Sequence, residues 1–166
     1  LYLRNPLEWE EQQAQGEAMG FADDGVDVRV QGWRTLAALH ARLEESLEKV
    51  LQAEFDLSVV EYTVLDAVAR QDGCHMRMQH VARAAALSHS ATTRLVTRLE
   101  KRGLVRRTLC DDDRRGIYST LTEAGHELLT RARPVHDRTV SATLDEAGRD
   151  PDLAPLVKAL HELPRS

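Results

Sequence analysis

The chain has 166 residues, 42% hydrophobic and 30% charged, which suits one cored domain in water with room for an appended dimerisation element. Aromatic residues make up only 4%, so single-stranded nucleic acid would find no stacking platform here. The formal charge of −5 argues against a polyanionic partner until its distribution along the chain is followed.

Residues 1–28 read as an acidic arm. Glu8, Glu10, Glu11, Glu17, Asp23, Asp24 and Asp27 stand against Arg4 alone, and a short helix over Leu7–Met19 is expected to give way to a loop at Gly20–Gly25. From Trp33 the apolar positions Leu36, Leu43, Leu47, Val50 and Leu51, broken by His40, predict an amphipathic helix ending near Phe55. Ser58-Val-Val-Glu61 fits a capping box, and Val60, Val64, Leu65 and Val68 form the inner face of the helix it opens, with Gly73 as its stop. Cys74–Arg77 reads as a short strand and Gln79–Ala86 as an Ala-rich helix facing inward through Val81, Ala82 and Ala85. Leu87-Ser88-His89 is a turn with Ser88 as N-cap.

The next helix runs to about Arg102, turns Ala91, Leu95 and Leu99 inward, and stops at Gly103. Val105–Leu109 and Ile117–Leu121 are β-prone and flank the charged loop Cys110–Gly116, which makes a hairpin. Thr122 and Glu123 open a helix with Ala124, Leu128, Ala132 and Val135 on one face and Pro134 as a kink. Asp150-Pro151 caps a last helix carrying Leu153, Leu156, Val157, Leu160 and Leu163. The fold class is therefore mainly α, in an α+β arrangement.

Two short helices about a tight turn match a helix-turn-helix, whose second helix offers its N-terminal residues to base edges. The local charge agrees, since between Ser88 and Tyr118 eight basic residues face four acidic ones. Ser90, Thr93, Arg94, Thr97, Arg98 and Lys101 fall on the outer side. Arg94 is placed for the O6/N7 edge of guanine. Ser88, Ser90, Thr92 and Thr93 offer hydroxyls or methyls to phosphates and bases, while Lys101 and Arg102 are placed for phosphate. In the hairpin tip, Arg114 and Arg115 suit a narrow minor groove, and Asp113 makes sense as the residue that fixes an arginine in place. The plainer alternatives are a solvated basic face and a hairpin tip that serves solubility.

These residues, Arg94-Leu95-Val96, Leu99-Glu100-Lys101-Arg102-Gly103-Leu104-Val105, Arg107, Asp113-Arg114-Arg115-Gly116 and Leu121-Thr122-Glu123-Ala124-Gly125, resemble the MarR family of winged-helix transcription regulators. The resemblance implies that Arg115 enters the minor groove, Asp113 orients it and Arg107 supports the wing. It also implies a homodimer that binds a pseudo-palindromic double-stranded DNA operator, acts as a repressor and is released by a small-molecule effector. Residues 29–55 would then be a dimerisation helix, 56–121 the winged helix-turn-helix lobe, and 122–166 the C-terminal dimerisation helices. The acidic arm falls outside the pattern.

Other chemistries find less support. Cys74, His75 and His80 lack a fourth ligand for structural zinc, so neither metal nor cofactor is expected. Cys110 sits between arginines and aspartates, leaving a redox-responsive regulator as an alternative. No phosphate loop, nucleophile elbow or paired-carboxylate site points to an enzyme. Two cysteines make no disulfide framework, and neither a signal organisation nor a membrane span is read, so the expected place is the cytoplasm, at the nucleoid. A winged-helix module that binds proteins instead of DNA is the alternative from another class.

Overall fold

A single helix, α1 (Pro6–Phe55), runs through the stretch expected to be an arm and a loop. The computed structural model describes the backbone of residues 6–71, 75–110 and 113–163, and the side chains of 25–71, 75–108 and 118–163. Pro6 stands at the first helical position, where its missing N–H costs nothing, and no proline follows before Phe55. The glycines at 16, 20, 25 and 32 each weaken the helix by about 1 kcal/mol without breaking it. Composition suggested a loop there, but turn-favouring residues without a proline did not interrupt the helix.

The remaining elements are α2 (Val59–Ala69), β1 (His75–Arg77), α3 (Met78–Ala84), α4 (His89–Lys101), β2 (Val105–Cys110), β3 (Asp113–Leu121), α5 (Glu123–Ala147) and α6 (Ala154–His161). Gly73 and Cys74, read as a helix stop and a strand start, lie outside the described residues. The strands form one antiparallel sheet in the order β1-β3-β2, with Val105 opposite Leu121, Arg107 opposite Ser119 and His75 opposite Thr120. β2 and β3 reach to Cys110 and Asp113, further than the expected loop allowed, with a register shift between Leu109 and Cys110. Backbone pairing carried the hairpin into charged sequence that side-chain preference alone would have left as loop.

The chain divides into two compact units, Leu1–Ala41 with Ala147–Ser166, and Arg42–Glu146. In the first, Leu39, Ala147, Leu153 and Val157 are buried. Asp150 accepts from the N–H groups of Leu153 and Ala154, so it closes a turn ahead of α6, whose N-cap is Leu153. In the second, Leu47 and Leu51 of α1 join Val64, Leu65 and Val68 of α2, Val81, Val96, Leu99, Val105, Leu121 and, from α5, Leu129 and Ala132. This core reaches past residues 56–121 at both ends. On α5 the inward positions are Gly125, Leu129 and Ala132, while Ala124 is exposed. Of the expected face, Ala132 is buried and Leu128 packs against the core, while Ala124 gives way to Gly125 and Leu129 is the buried leucine; α5 continues past Pro134.

Among the described residues three helix ends turn through a left-handed residue: Asp56 (φ 53°), Ala86 (φ 51°) and Gly103 (φ 71°). After α3, Leu87 N–H bonds the Ala82 carbonyl at 2.9 Å and Ala86 N–H the Arg83 carbonyl at 3.2 Å. After α4, Leu104 bonds Leu99 and Gly103 bonds Glu100 in the same pattern. The turn between the two helices of the motif thus rests on an alanine where glycine is usual.

Ala86→Gly should raise stability by about 0.5–1 kcal/mol, since glycine enters the left-handed region without a Cβ penalty. Gly125→Ala should lower it by about 1–3 kcal/mol, because the new Cβ would strike the Leu104 carbonyl. Urea unfolding of both variants reads the two signs; an Ala86→Gly chain no more stable than the parent would refute strain at this turn.

Candidate nucleic-acid interface

Helix α4 begins at Ser88, whose Oγ accepts from Ala91 N–H at 3.3 Å and so satisfies one free donor of the first turn. Its buried stripe is Thr92, Leu95, Val96 and Leu99. Thr92 is fully buried and its hydroxyl donates to the Ser88 carbonyl at 2.9 Å. Thr92 is therefore a core residue, not a DNA contact. Leu95 and Leu99 are buried as expected, and Thr92 joins them while Ala91 is only half-buried; a threonine that bonds its own backbone can be buried there.

The opposite stripe carries Ser90, Arg94, Thr97 and Lys101 at spacings of four, three and four, with Ser88, Thr93 and Arg98 exposed beside it. Arg94 and Lys101 have no side-chain hydrogen bond or ion pair among the described residues. Thr97 is half-buried and committed: its hydroxyl donates to the Thr93 carbonyl at 2.8 Å and accepts from Arg107 Nη2 at 2.6 Å. Arg107, on β2, also donates to the Thr93 carbonyl at 3.2 Å and pairs with Glu100 at 3.4 Å. One side chain thus pins the hairpin to the outer edge of α4. The side chains of Asp113, Arg114 and Arg115, like that of Cys110, lie outside the described residues.

The inner edge of α4 is held from α2. Ser58 and Glu61 form the reciprocal capping box, with Ser58 N–H donating to Glu61 Oε2 at 3.0 Å and Glu61 N–H to Ser58 Oγ at 3.2 Å. The same carboxylate, only 4% exposed, accepts from Arg98 Nε at 2.7 Å and Arg102 Nη1 at 3.2 Å. Arg102 reaches Asp56 as well, at 3.5 Å, so it faces inward and not toward phosphate as its position suggested. Sequence reasoning assigned Glu61 to the cap alone. The missed signal was its place on the apolar stripe with Val64, Leu65 and Val68, where a buried carboxylate requires a cationic partner. Among the described residues no group of three or more His, Cys, Asp or Glu could hold a metal ion, and no helix is long and apolar enough to cross a membrane.

The sequence profile of the MarR family matches residues 55–116. AbsC, a MarR family transcriptional regulator from Streptomyces coelicolor, has a solved structure 36% identical in sequence, covering 78% of this chain and 86% of its own, with a TM-score of 0.66. The chain belongs to the MarR family. Sco3205 of the same organism, a MarR family regulator solved in complex with DNA, is 30% identical, with 78% of this chain and 83% of its own covered and a TM-score of 0.64. The transcriptional repressor MprA of Escherichia coli strain K12 is 30% identical over 96 residues, or 58% of this chain, which spans about half (54%) of MprA's length. The chain accordingly contains the winged helix-turn-helix of the MarR family.

A second polar cluster joins α2 to α5 in this MarR-family lobe. Asp66 accepts from Arg70 Nε and Arg133 Nη2, each at 2.7 Å, and Tyr62 stacks on His136 with ring centroids 4.2 Å apart. Burial opposes the Asp66 charge, yet the hydrogen bonds from Arg133 and Arg70 outweigh it and hold the carboxyl below its ordinary value. Burial, then the charges of Asp66 and Asp137, push the Tyr62 phenol up.

A carboxyl held low in the folded state stabilises the fold above its unfolded value of roughly 4, and that stability drains away as pH falls through the folded value. Asp66→Asn should therefore lose less stability than the parent between neutral pH and strongly acidic pH. Urea unfolding across a pH series decides the point, and parallel profiles for the two chains would contradict it.

Proposed function

We propose that this chain is a sequence-specific double-stranded DNA-binding transcription regulator, a repressor that acts as a homodimer on a pseudo-palindromic operator. The observation that carries this reading is the exposed stripe of α4, where Arg94 and Lys101 stand without partners among the described residues, between edges fixed by Arg107 and by Glu61. A helix anchored on both sides with two uncommitted cations on its outer face matches what a major groove requires. Arg94 reads guanine, Ser90 and Thr93 contact bases or phosphates, and Lys101 meets phosphate. Arg114 and Arg115 enter the adjacent minor groove from the wing tip, with Asp113 orienting Arg115. Repression is the activity named for MprA, and DNA is the ligand held by Sco3205.

The dimer reading rests on α1. Val26, Val30, Trp33 and Leu36 are exposed at helical spacing, with Trp33 67% exposed, an apolar stripe of the kind that marks an interface. In the Arg42–Glu146 unit, an open groove lined by Lys49, Val50, Val135, Arg138 and Thr139 is where this reading places a small-molecule effector. An effector there would act by binding one lobe arrangement better than another. Regulation, not catalysis, and residence at the nucleoid complete the reading.

Fluorescence anisotropy with duplexes selected from the source genome, over a salt series, tests it. Affinity should fall steeply with salt, and Arg94→Ala should cost about 1–3 kcal/mol of discrimination at one base position. Salt-insensitive binding, or an Arg94→Ala chain with undiminished selectivity, would remove the assignment. Trp33→Glu should shift the chain toward monomer in sedimentation and weaken operator binding together; an intact dimer would clear α1 of that role.

A further inference from the structure

We infer that Glu61 is a positioning residue for DNA recognition: it holds Arg98 by Nε so that the opposite edge of the guanidinium meets a backbone phosphate beside the bases read by Arg94. The inference rests on the DNA-binding reading above and adds to it a residue from outside the recognition helix.

Three features of the contact point this way. Glu61 is itself immobilised, because its Oε2 is bonded to Ser58 N–H and to Arg102 while its Oε1 accepts from Arg98. Arg98 gives only Nε to that bond, no other partner appears for it among the described residues, and its side chain stays 60% exposed. Arg102, shared between Glu61 and Asp56, is 27% exposed and turned inward, so the two arginines on one carboxylate have different fates. A guanidinium fixed at Nε presents Nη1 and Nη2 as a planar two-donor fork, the shape that suits two phosphate oxygens. Arg98 lies one turn beyond Arg94 on the same helix. In this motif the N-terminal residues reach base edges, and positions further along meet the backbone. Ordering the side chain before DNA arrives removes the rotamer entropy that a free arginine loses on binding.

The test is a double-mutant cycle on the full chain with an operator duplex selected for the parent, using Arg98→Ala, Glu61→Gln, the double variant and Arg98→Lys, each checked for folding by urea titration. Arg98→Ala should weaken binding about tenfold and lower the salt slope by about 0.9, the loss of one phosphate contact. Glu61→Gln should weaken binding severalfold with the slope retained, because the charge stays while its aim is lost. The double variant should bind no more weakly than Arg98→Ala, and Arg98→Lys should keep the slope but lose affinity. Additive effects, or an unchanged slope in Arg98→Ala, would overturn the proposal. Should Glu61→Gln fail to fold, an Arg98→Lys chain binding like the parent would overturn it equally. A parent that binds no duplex at any salt would instead overturn the DNA-binding reading itself.

Discussion

A carboxylate buried at the start of α2 cannot stand without compensating positive charge, and in this lobe the compensation comes from α4. Glu61 closes the capping box of α2, where the helix dipole already favours an anion, and it draws Arg98 and Arg102 onto the same pair of oxygens. Glu48 of α1 adds a further acceptor to that helix end, taking the Val59 N–H at 2.8 Å. Removing the carboxylate would therefore release a helix terminus and two cations at once. The placement of α4 is thus an electrostatic matter on one edge, and on its other edge a matter of Arg107 bonded to Thr93, Thr97 and Glu100.

Between those edges the chain direction is set by tight helix ends. Ala86 and Gly103 close α3 and α4 with the same pair of backbone bonds, which fixes the turn into α4 and the turn out of it toward β2. Thr122 then ties the far side of the hairpin back. Its hydroxyl donates to the Gly103 carbonyl at 2.6 Å and accepts from Gly125 N–H at 3.1 Å, so the end of α4 and the start of α5 share one side chain. Gly125 has no room for a side chain because the Leu104 backbone lies against it. The wing is consequently rooted at both strand ends, and a change at its root would be felt in α4 and α5 together.

Most of this organisation was legible in sequence where the determinants are local. The Ser58–Glu61 box, the Ser88 cap, the Gly103 stop and the hairpin all depend on residues within a few positions of each other. Where reading failed, the cause was a phase or a long-range partner. Thr92 looks like a surface hydroxyl, yet it shares a stripe with Leu95 and Leu99 and satisfies itself on the Ser88 carbonyl. Ala124 and Gly125 differ by one helical step, and only the packing against Leu104 selects the glycine. The partners of Glu61 lie 37 and 41 residues away, beyond any periodicity in the sequence. In α1, glycines and aspartates predict a loop by composition, yet no proline forbids the helix and it runs through them.

The same partition of charge bears on how an acidic chain can meet a polyanion. Of the four cations on or capping α4, Arg102 is neutralised within the protein and Arg98 is partly so, while Arg94 and Lys101 have no partner among the described residues. A helix with all four free would attract any duplex through charge alone, with little regard to sequence. On the DNA-binding reading proposed above, internal pairing lowers that indiscriminate term and leaves Arg94 on the outer face of α4 for base edges. In that reading the selectivity of the lobe depends as much on which arginines are paired within the protein as on which are offered, and Glu61 turns Arg102 inward while leaving the outer edge of Arg98 open to solvent.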